Sequence, residues 1–213
     1  MMLANDPMDW EEYGIVEKND FVENKENKEN KGNKGNNIIM IGSSIIALWP
    51  ADLLNKTFPQ SNYIMNKGVS GCQLSDCINW LKDQIGSLTP NVIVFYAGSN
   101  DIGNGASYID VANRFRSWLS RVRSFAPNAL IICIGLIVSP SKIYHKIAGT
   151  TLAANKELRN ICNSSACVKF IDTNVRGLFY STVDGSLRAD LFVSDGLHLT
   201  DQGYEVLGSA IRG

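Results

Sequence analysis

The strongest constraint in this sequence is a succession of short apolar runs separated by stretches long enough for helices. The runs are Ile38–Ile41, closing at Gly42, then Tyr63–Met65, Val92–Ala97, Leu130–Val138 with a break at Gly135, and Val168–Ile171. Runs this short and this uniformly apolar read as strands buried on both faces, which requires a parallel sheet covered by helices on either side. The segments between them carry helical spacing. Leu74, Cys77, Ile78, Leu81 and Ile85 share one face of a helix over Leu74–Ile85. Val111, Phe115, Trp118, Leu119, Val122 and Phe125 share another, as do Ala154, Leu158, Ile161 and Cys162 within Ala153–Cys162. Tyr204, Leu207, Gly208 and Ile211 mark a last helix over Asp201–Ile211, with Thr200 as its cap. At 213 residues the chain can bury one sizeable core.

Upstream of Ile38 the character changes. Lys25, Lys28, Lys31 and Lys34 recur at every third position, as do Glu23, Glu26 and Glu29. On a helix these would set like charges side by side, and the intervening asparagines and glycines weaken a helix further. Glu26–Asn37 therefore reads as a polar, mobile linker. Before it, Trp10, Ile15, Phe21 and Val22 are expected to anchor a short helix against the body. The expected division is 1–37 for this helix and linker and 38–213 for the folded domain.

Bulk charge excludes little but is useful at the margins. A formal net charge of -1 without a basic stripe argues against a nucleic-acid partner. Met1–Glu12 is acidic and lacks the features of a secretory signal, and no apolar run approaches a membrane span. The expectation is a cytoplasmic protein without stable membrane insertion. Five irregularly spaced cysteines read as free thiols, with Cys133 in the core. Only two histidines are present, neither at zinc-ligand spacing, so no metal or cofactor is expected.

Ligands of open parallel sheets bind beyond the carboxyl ends of the strands. At those ends stand Gly42-Ser43-Ser44, then 66–71 (NKGVSG), Gly98-Ser99-Asn100-Asp101, Ser139-Pro140 and, after a long irregular stretch, Asp195-Gly196-Leu197-His198. Each has an ordinary reading: Ser44 as a turn or cap residue, His198 as a structural histidine, Asn100 and Asp101 as turn residues. Together they form the inventory of a nucleophilic acyl transfer. Ser44 would attack, His198 would take its proton, and Asp195 would orient the imidazole. The N–H groups of Ser44 and Gly71 and the amide of Asn100 are the candidate oxyanion donors.

These blocks resemble the SGNH hydrolases, the GDSL-type lipases and esterases, over roughly residues 38–208. Gly42-Ser43-Ser44 matches the family's Gly-Asp-Ser with Ser43 in place of the acid, NKGVSG (66–71) matches the glycine block, and GSND (98–101) and DGLH (195–198) are intact. The longer strings GSSIIALWP (42–50) and YAGSNDIGNG (96–105) resemble the branch that contains the platelet-activating-factor acetylhydrolase catalytic subunits. The resemblance implies a flavodoxin-like three-layer α/β/α sandwich with a five-stranded parallel sheet in the order 2-1-3-4-5. It also implies Ser44, Asp195 and His198 as catalytic residues and Ser44, Gly71 and Asn100 as the oxyanion hole. The implied activity is hydrolysis of small carboxylic esters, short-chain or acetyl, through an acyl-enzyme and without a cofactor. A carbohydrate O-acetyl esterase or a lysophospholipase-like lipid esterase would use the same groups, and a homodimer is left open.

The remaining candidates are peripheral. His145 reads as a loop or surface histidine, Trp49 and Pro50 as packing behind the nucleophile turn. Phe179, Tyr180 and Phe192 suit either the core or an acyl pocket. A dinucleotide site is disfavoured because no G-x-G-x-x-G follows the first strand, and the P-loop pattern is also absent.

Overall fold

The computed structural model describes residues 21–23 and 36–212. The elements run β1 (Phe21–Glu23), β2 (Asn36–Gly42), α1 (Ser44–Ala47), α2 (Ala51–Thr57), β3 (Ser61–Gly68), α3 (Leu74–Asn79), α4 (Leu81–Ile85) and β4 (Val92–Tyr96). They continue with α5 (Ser99–Gly103), α6 (Tyr108–Phe125), β5 (Leu130–Ile134), α7 (Pro140–Tyr144), α8 (Ala148–Asn163), β6 (Val168–Ile171), a 3-10 turn at Ala189–Leu191 and α9 (Asp201–Arg212). The sheet order is β1-β3-β2-β4-β5-β6. All pairs are parallel except β1 with β3. Counted from the Ile38 strand, the parallel part has the expected order 2-1-3-4-5.

The central strands are buried throughout, as their composition requires: every residue of β4 is buried, and Ile39, Met40 and Ile41 of β2 are wholly so. Helices α3, α4, α6 and α8 pack as a group on one face, and α2 pairs with α9 on the other. On the first face Phe95 of β4 stacks on Trp118 of α6 at 3.6 Å, with Phe115 beside them. On the second, Trp49 meets Tyr204 of α9 at 5.3 Å, so Trp49 does pack behind the turn that carries Ser44. Fully burying one such large side chain stabilises the fold by about 1.5–3 kcal/mol.

Several boundaries differ from those read in the sequence. Phe21 and Val22 lie not in a helix but in β1, where Phe21 pairs with Met65 and Val22 with Ile64. The outer edge of β3 offers unpaired peptide groups there, and a strand satisfies them where a helix would not. Trp10, Ile15 and most of the expected linker fall outside the described residues. The linker's expected end is too late: Asn36 and Asn37 already belong to β2, and the Asn37 N–H donates to Asn91 Oδ1 at 2.9 Å. The helix expected over Leu74–Ile85 is interrupted at Trp80, whose ψ is 1°; its carbonyl then accepts from both Asp83 and Gln84. Helix α6 starts earlier than its apolar face because Ser107 and Asp110 form a reciprocal cap, with the Ser107 N–H on the Asp110 carboxylate at 3.0 Å. Thr200 caps α9 as expected, accepting from the Gly203 N–H at 3.2 Å.

The most consequential difference is at β5. The apolar run continues to Val138, yet the strand stops at Ile134. It stops at the break before Gly135, level with its neighbours: the last ladder bond on this side goes from the Gly135 N–H to Ile171 O. Beyond that, side-chain amides replace the ladder. Asn155 of α8 accepts from the Leu136 N–H and donates to the Leu136 carbonyl, both at 2.7 Å. Asn174 accepts from the Val138 N–H and also donates to Leu136 O, both at 2.8 Å. Segment 135–138 is thus extended and buried without being part of the sheet. Replacing Asn155 with alanine leaves the buried Leu136 N–H without an acceptor. The expected loss is about 1–3 kcal/mol in urea-melt stability; a loss below about 0.5 kcal/mol would mean the amide does not hold this segment.

Candidate active site

Strand β2 ends level with both of its neighbours, Gly42 standing opposite Gly68 on one side and Tyr96 on the other, and the turn that follows carries Ser44. The Ser43 N–H donates to Tyr96 O at 2.9 Å on one side, and the Val69 N–H donates to Gly42 O at 2.8 Å on the other. The approach is too close for side chains. A Cβ on Gly42 would lie 2.0 Å from Tyr96 O, and one on Gly68 would lie 2.3 Å from Ala47 N. Glycine at both positions lets α1 start directly at the strand end, with Ser44 as its first residue and Ser43 buried behind it. Asn66 locks the turn from below, donating to Ile46 O at 2.7 Å and accepting from the Gly68 N–H at 2.9 Å.

The loop before α9 brings the other two residues to Ser44. The Asp195 carboxylate accepts from the backbone N–H groups of Leu197 at 2.7 Å and His198 at 2.9 Å through Oδ1. Its Oδ2 lies 2.6 Å from His198 Nδ1, and His198 Nε2 lies 3.0 Å from Ser44 Oγ. Burial works against ionisation of Asp195, but the two N–H groups and the imidazole outweigh it and hold the carboxyl below its usual range. A carboxylate on Nδ1 fixes that proton there and leaves the Nε2 lone pair facing the Ser44 hydroxyl. Helix α7 braces the loop, its Ser141 N–H donating to Gly196 O at 2.9 Å.

On the opposite side stand the candidate oxyanion donors. Asn100 donates one amide N–H to Cys72 O at 2.8 Å, which ties it to the loop that holds Gly71. Among the described residues neither the Ser44 nor the Gly71 N–H has a protein acceptor. Asp101 holds this side in place. It is fully buried, accepts from the Leu74 N–H at 3.0 Å and pairs with Arg114 of α6 at 2.6 Å. The carboxylate next to Asn100 is therefore a strut between α3 and α6, a role its turn-like sequence context did not reveal.

Ser44 and Asn100 open on a small cavity that Ile45 and Leu197 also line. It holds ≈ 10 Å³, room for about one water-sized group. Lys142 of α7 forms part of its wall. Nothing in the spacing of SPSKIY (139–144) marks Lys142 for burial; that depends on where α7 docks. A larger groove of ≈ 560 Å³ runs between α6 and α8 past Leu119, Arg123 and Asn160, away from all of these groups. Among the described residues, no cluster of three or more histidine, cysteine or carboxylate side chains could hold a metal ion, and no helix is long and apolar enough to cross a membrane.

The remaining candidates resolve simply. His145 ends α7 at the surface, edge-on to Tyr144 with ring centroids 5.1 Å apart. Phe179 and Phe192 are buried against each other at 5.7 Å and belong to the core, not to the cavity. All five cysteines are free, with only Cys167 exposed.

The family model for GDSL-like lipases and acylhydrolases matches residues 42–206. Comparison with curated proteins finds no match. Among solved structures, a Streptococcus pneumoniae protein described provisionally as a platelet activating factor is 23% identical, with a TM-score of 0.67 over 84% of this chain and 83% of that one. A GDSL-like lipase from Bacteroides thetaiotaomicron is 16% identical, with a TM-score of 0.66 over 82% and 85%. An acetylxylan esterase from Geobacillus stearothermophilus is 17% identical, with a TM-score of 0.67 over 83% and 92%. These likenesses are of fold. The family match spans most of the chain, from the turn at Gly42 into the last helix, and the protein belongs to the GDSL-like lipase/acylhydrolase family of SGNH-type carboxylic ester hydrolases.

Proposed function

We propose that the protein hydrolyses esters of short acyl groups, two or three carbons long, through an acyl-enzyme on Ser44. The observation that carries the chain length is the cavity beside Ser44, which has room for about one small group before Ile45 and Leu197 close it. An acetyl methyl fits such a space; the long chain of a lysophospholipid does not. An O-acetylated sugar carries the same acyl group and stays within this reading.

The distances around Ser44 support the following steps. As Ser44 Oγ attacks the ester carbonyl, its proton passes to His198 Nε2, 3.0 Å away. The imidazolium is stabilised by the Asp195 carboxylate on Nδ1. The carbonyl oxygen becomes an oxyanion, received by the N–H groups of Ser44 and Gly71 and by the second amide N–H of Asn100. Collapse breaks the bond to the alcohol, which leaves with the proton from His198. Water then repeats the sequence on the acyl-enzyme, giving the acid and free Ser44.

Ser44→Ala is expected to lower kcat on phenyl acetate by at least about 10⁴-fold without changing the thermal midpoint; retained turnover would remove Ser44 as the nucleophile. Asn100→Ala is expected to lower kcat by about 10²–10³-fold with little change in KM. An unchanged kcat would take Asn100 out of the oxyanion hole. Across acetyl, butyryl and octanoyl esters of one alcohol, kcat/KM is expected to fall at least about 100-fold from first to last. Equal values for acetyl and octanoyl would overturn the short-chain reading.

A further inference from the structure

Lys142 is a buried cation for which neither the fold nor the proposed reaction provides a full set of partners. It is 3% exposed, which is rare for lysine unless the charge is paired. Among the described residues no carboxylate lies within salt-bridge distance of it. Its ammonium has three N–H groups. One donates to the Ile137 carbonyl at 2.6 Å. The other two have no acceptor in the described protein, and Lys142 is among the residues that line the cavity that holds Ser44 and Asn100.

A purely structural role does not account for the residue type. Holding a carbonyl of this extended segment needs one neutral donor, and the fold uses asparagine for that task next door. Asn155 and Asn174 both donate to Leu136 O. A lysine at the same task brings two surplus donors into a cavity lined by Ile45, Ile137 and Leu197 and by the polar groups of Ser43, Ser44, Tyr96, Ser99 and Asn100. Its one protein partner is the Ile137 carbonyl, and none of those polar groups pairs with it. Burial, which disfavours the charged form, pushes its amine down to about 7.

We infer that Lys142 determines specificity by donating a hydrogen bond to an oxygen atom carried on the acyl group, so that the preferred ester is of a small oxygen-bearing acid of the hydroxyacetyl class. This rests on the short-acyl reading above and names the chemistry of its pocket. A polar group built to meet a substrate oxygen rejects the hydrocarbon analogue because its own donors are then left unpaired.

Phenyl glycolate and phenyl propionate test it, since their acyl chains are nearly isosteric and differ by hydroxyl for methyl. Each kcat/KM is divided by the ester's own alkaline hydrolysis rate to remove intrinsic reactivity. The wild type is expected to favour glycolate at least 10-fold on this scale, and Lys142→Met to bring the ratio to within about twofold of one while still cleaving propionate. A merely structural lysine would lower both esters together and leave the ratio unchanged, which overturns the inference. If Lys142→Met does not fold, Lys142→Gln keeps one donor for Ile137 O, and the wild-type ratio decides by itself: a value near one overturns the inference. A wild type that prefers octanoyl to acetyl esters overturns the short-acyl reading and this one with it. A wild type that prefers acetyl but shows no glycolate preference overturns only the role of Lys142.

Discussion

The site depends on one close approach. Where β2 runs out, level with β3 and β4, the chain turns between Tyr96 O and the backbone that follows β3. Only two glycines allow backbone to pass at that separation. The same contact that limits the residue type at Gly42 also sets the direction of Ser44, because α1 has no room to start elsewhere. The N–H of Ser44 is left without a partner as a direct result, since a first helical residue has no carbonyl four positions back within the helix. The accessibility of Ser44 and its unpartnered N–H are thus one geometric fact.

Around that turn the polar groups fall into two kinds. Some are fully satisfied and hold position: Asp195 with two N–H groups and an imidazole, Asp101 with an N–H and Arg114, Asn66 across the α1 turn. Others retain unused donors: Ser44 N–H, Gly71 N–H, the second amide hydrogen of Asn100 and two hydrogens of Lys142. In a closed protein interior unmet donors are destabilising, and native structures keep few of them. Here Ser44, Asn100 and Lys142 line one small cavity, and Asn100 is tied through Cys72 O to the loop of Gly71; in the reading proposed above, developing charge and a substrate oxygen meet these donors.

Much of this was legible in the chain. The apolar runs and their spacing carry the parallel sheet, since a strand buried on both faces has no polar alternation to hide it. Ser44, Asn100, Asp195 and His198 could be read because each follows a run or lies in a short block whose composition the core does not demand. Other features depend on what the neighbours do. The end of β5 at Ile134 falls at the break that Gly135 makes in the run, but that the chain stays buried to Val138 outside the sheet depends on Asn155 and Asn174, which no residue in Leu130–Val138 announces. The strand at Phe21 forms because β3 has a free edge. Lys142 looks like any lysine on a short polar helix until α7 docks against Gly196 and turns the side chain inward.

Segment 135–138 separates two jobs that are usually fused in a sheet. A ladder ties each peptide group to its neighbours, so altering one strand end disturbs the next. Here the inner wall of the cavity hangs from the side chains of Asn155 and Asn174 and meets Lys142 through a single carbonyl. Loss of either asparagine leaves a buried peptide N–H without its acceptor, whereas the contact from Lys142 is one donor on one carbonyl and lies outside the ladders of β4, β5 and β6. At Lys142, unlike at the two asparagines, the pocket wall can diverge while the sheet stays as it is, which gives selectivity in this chain one path that does not run through the strand ladders.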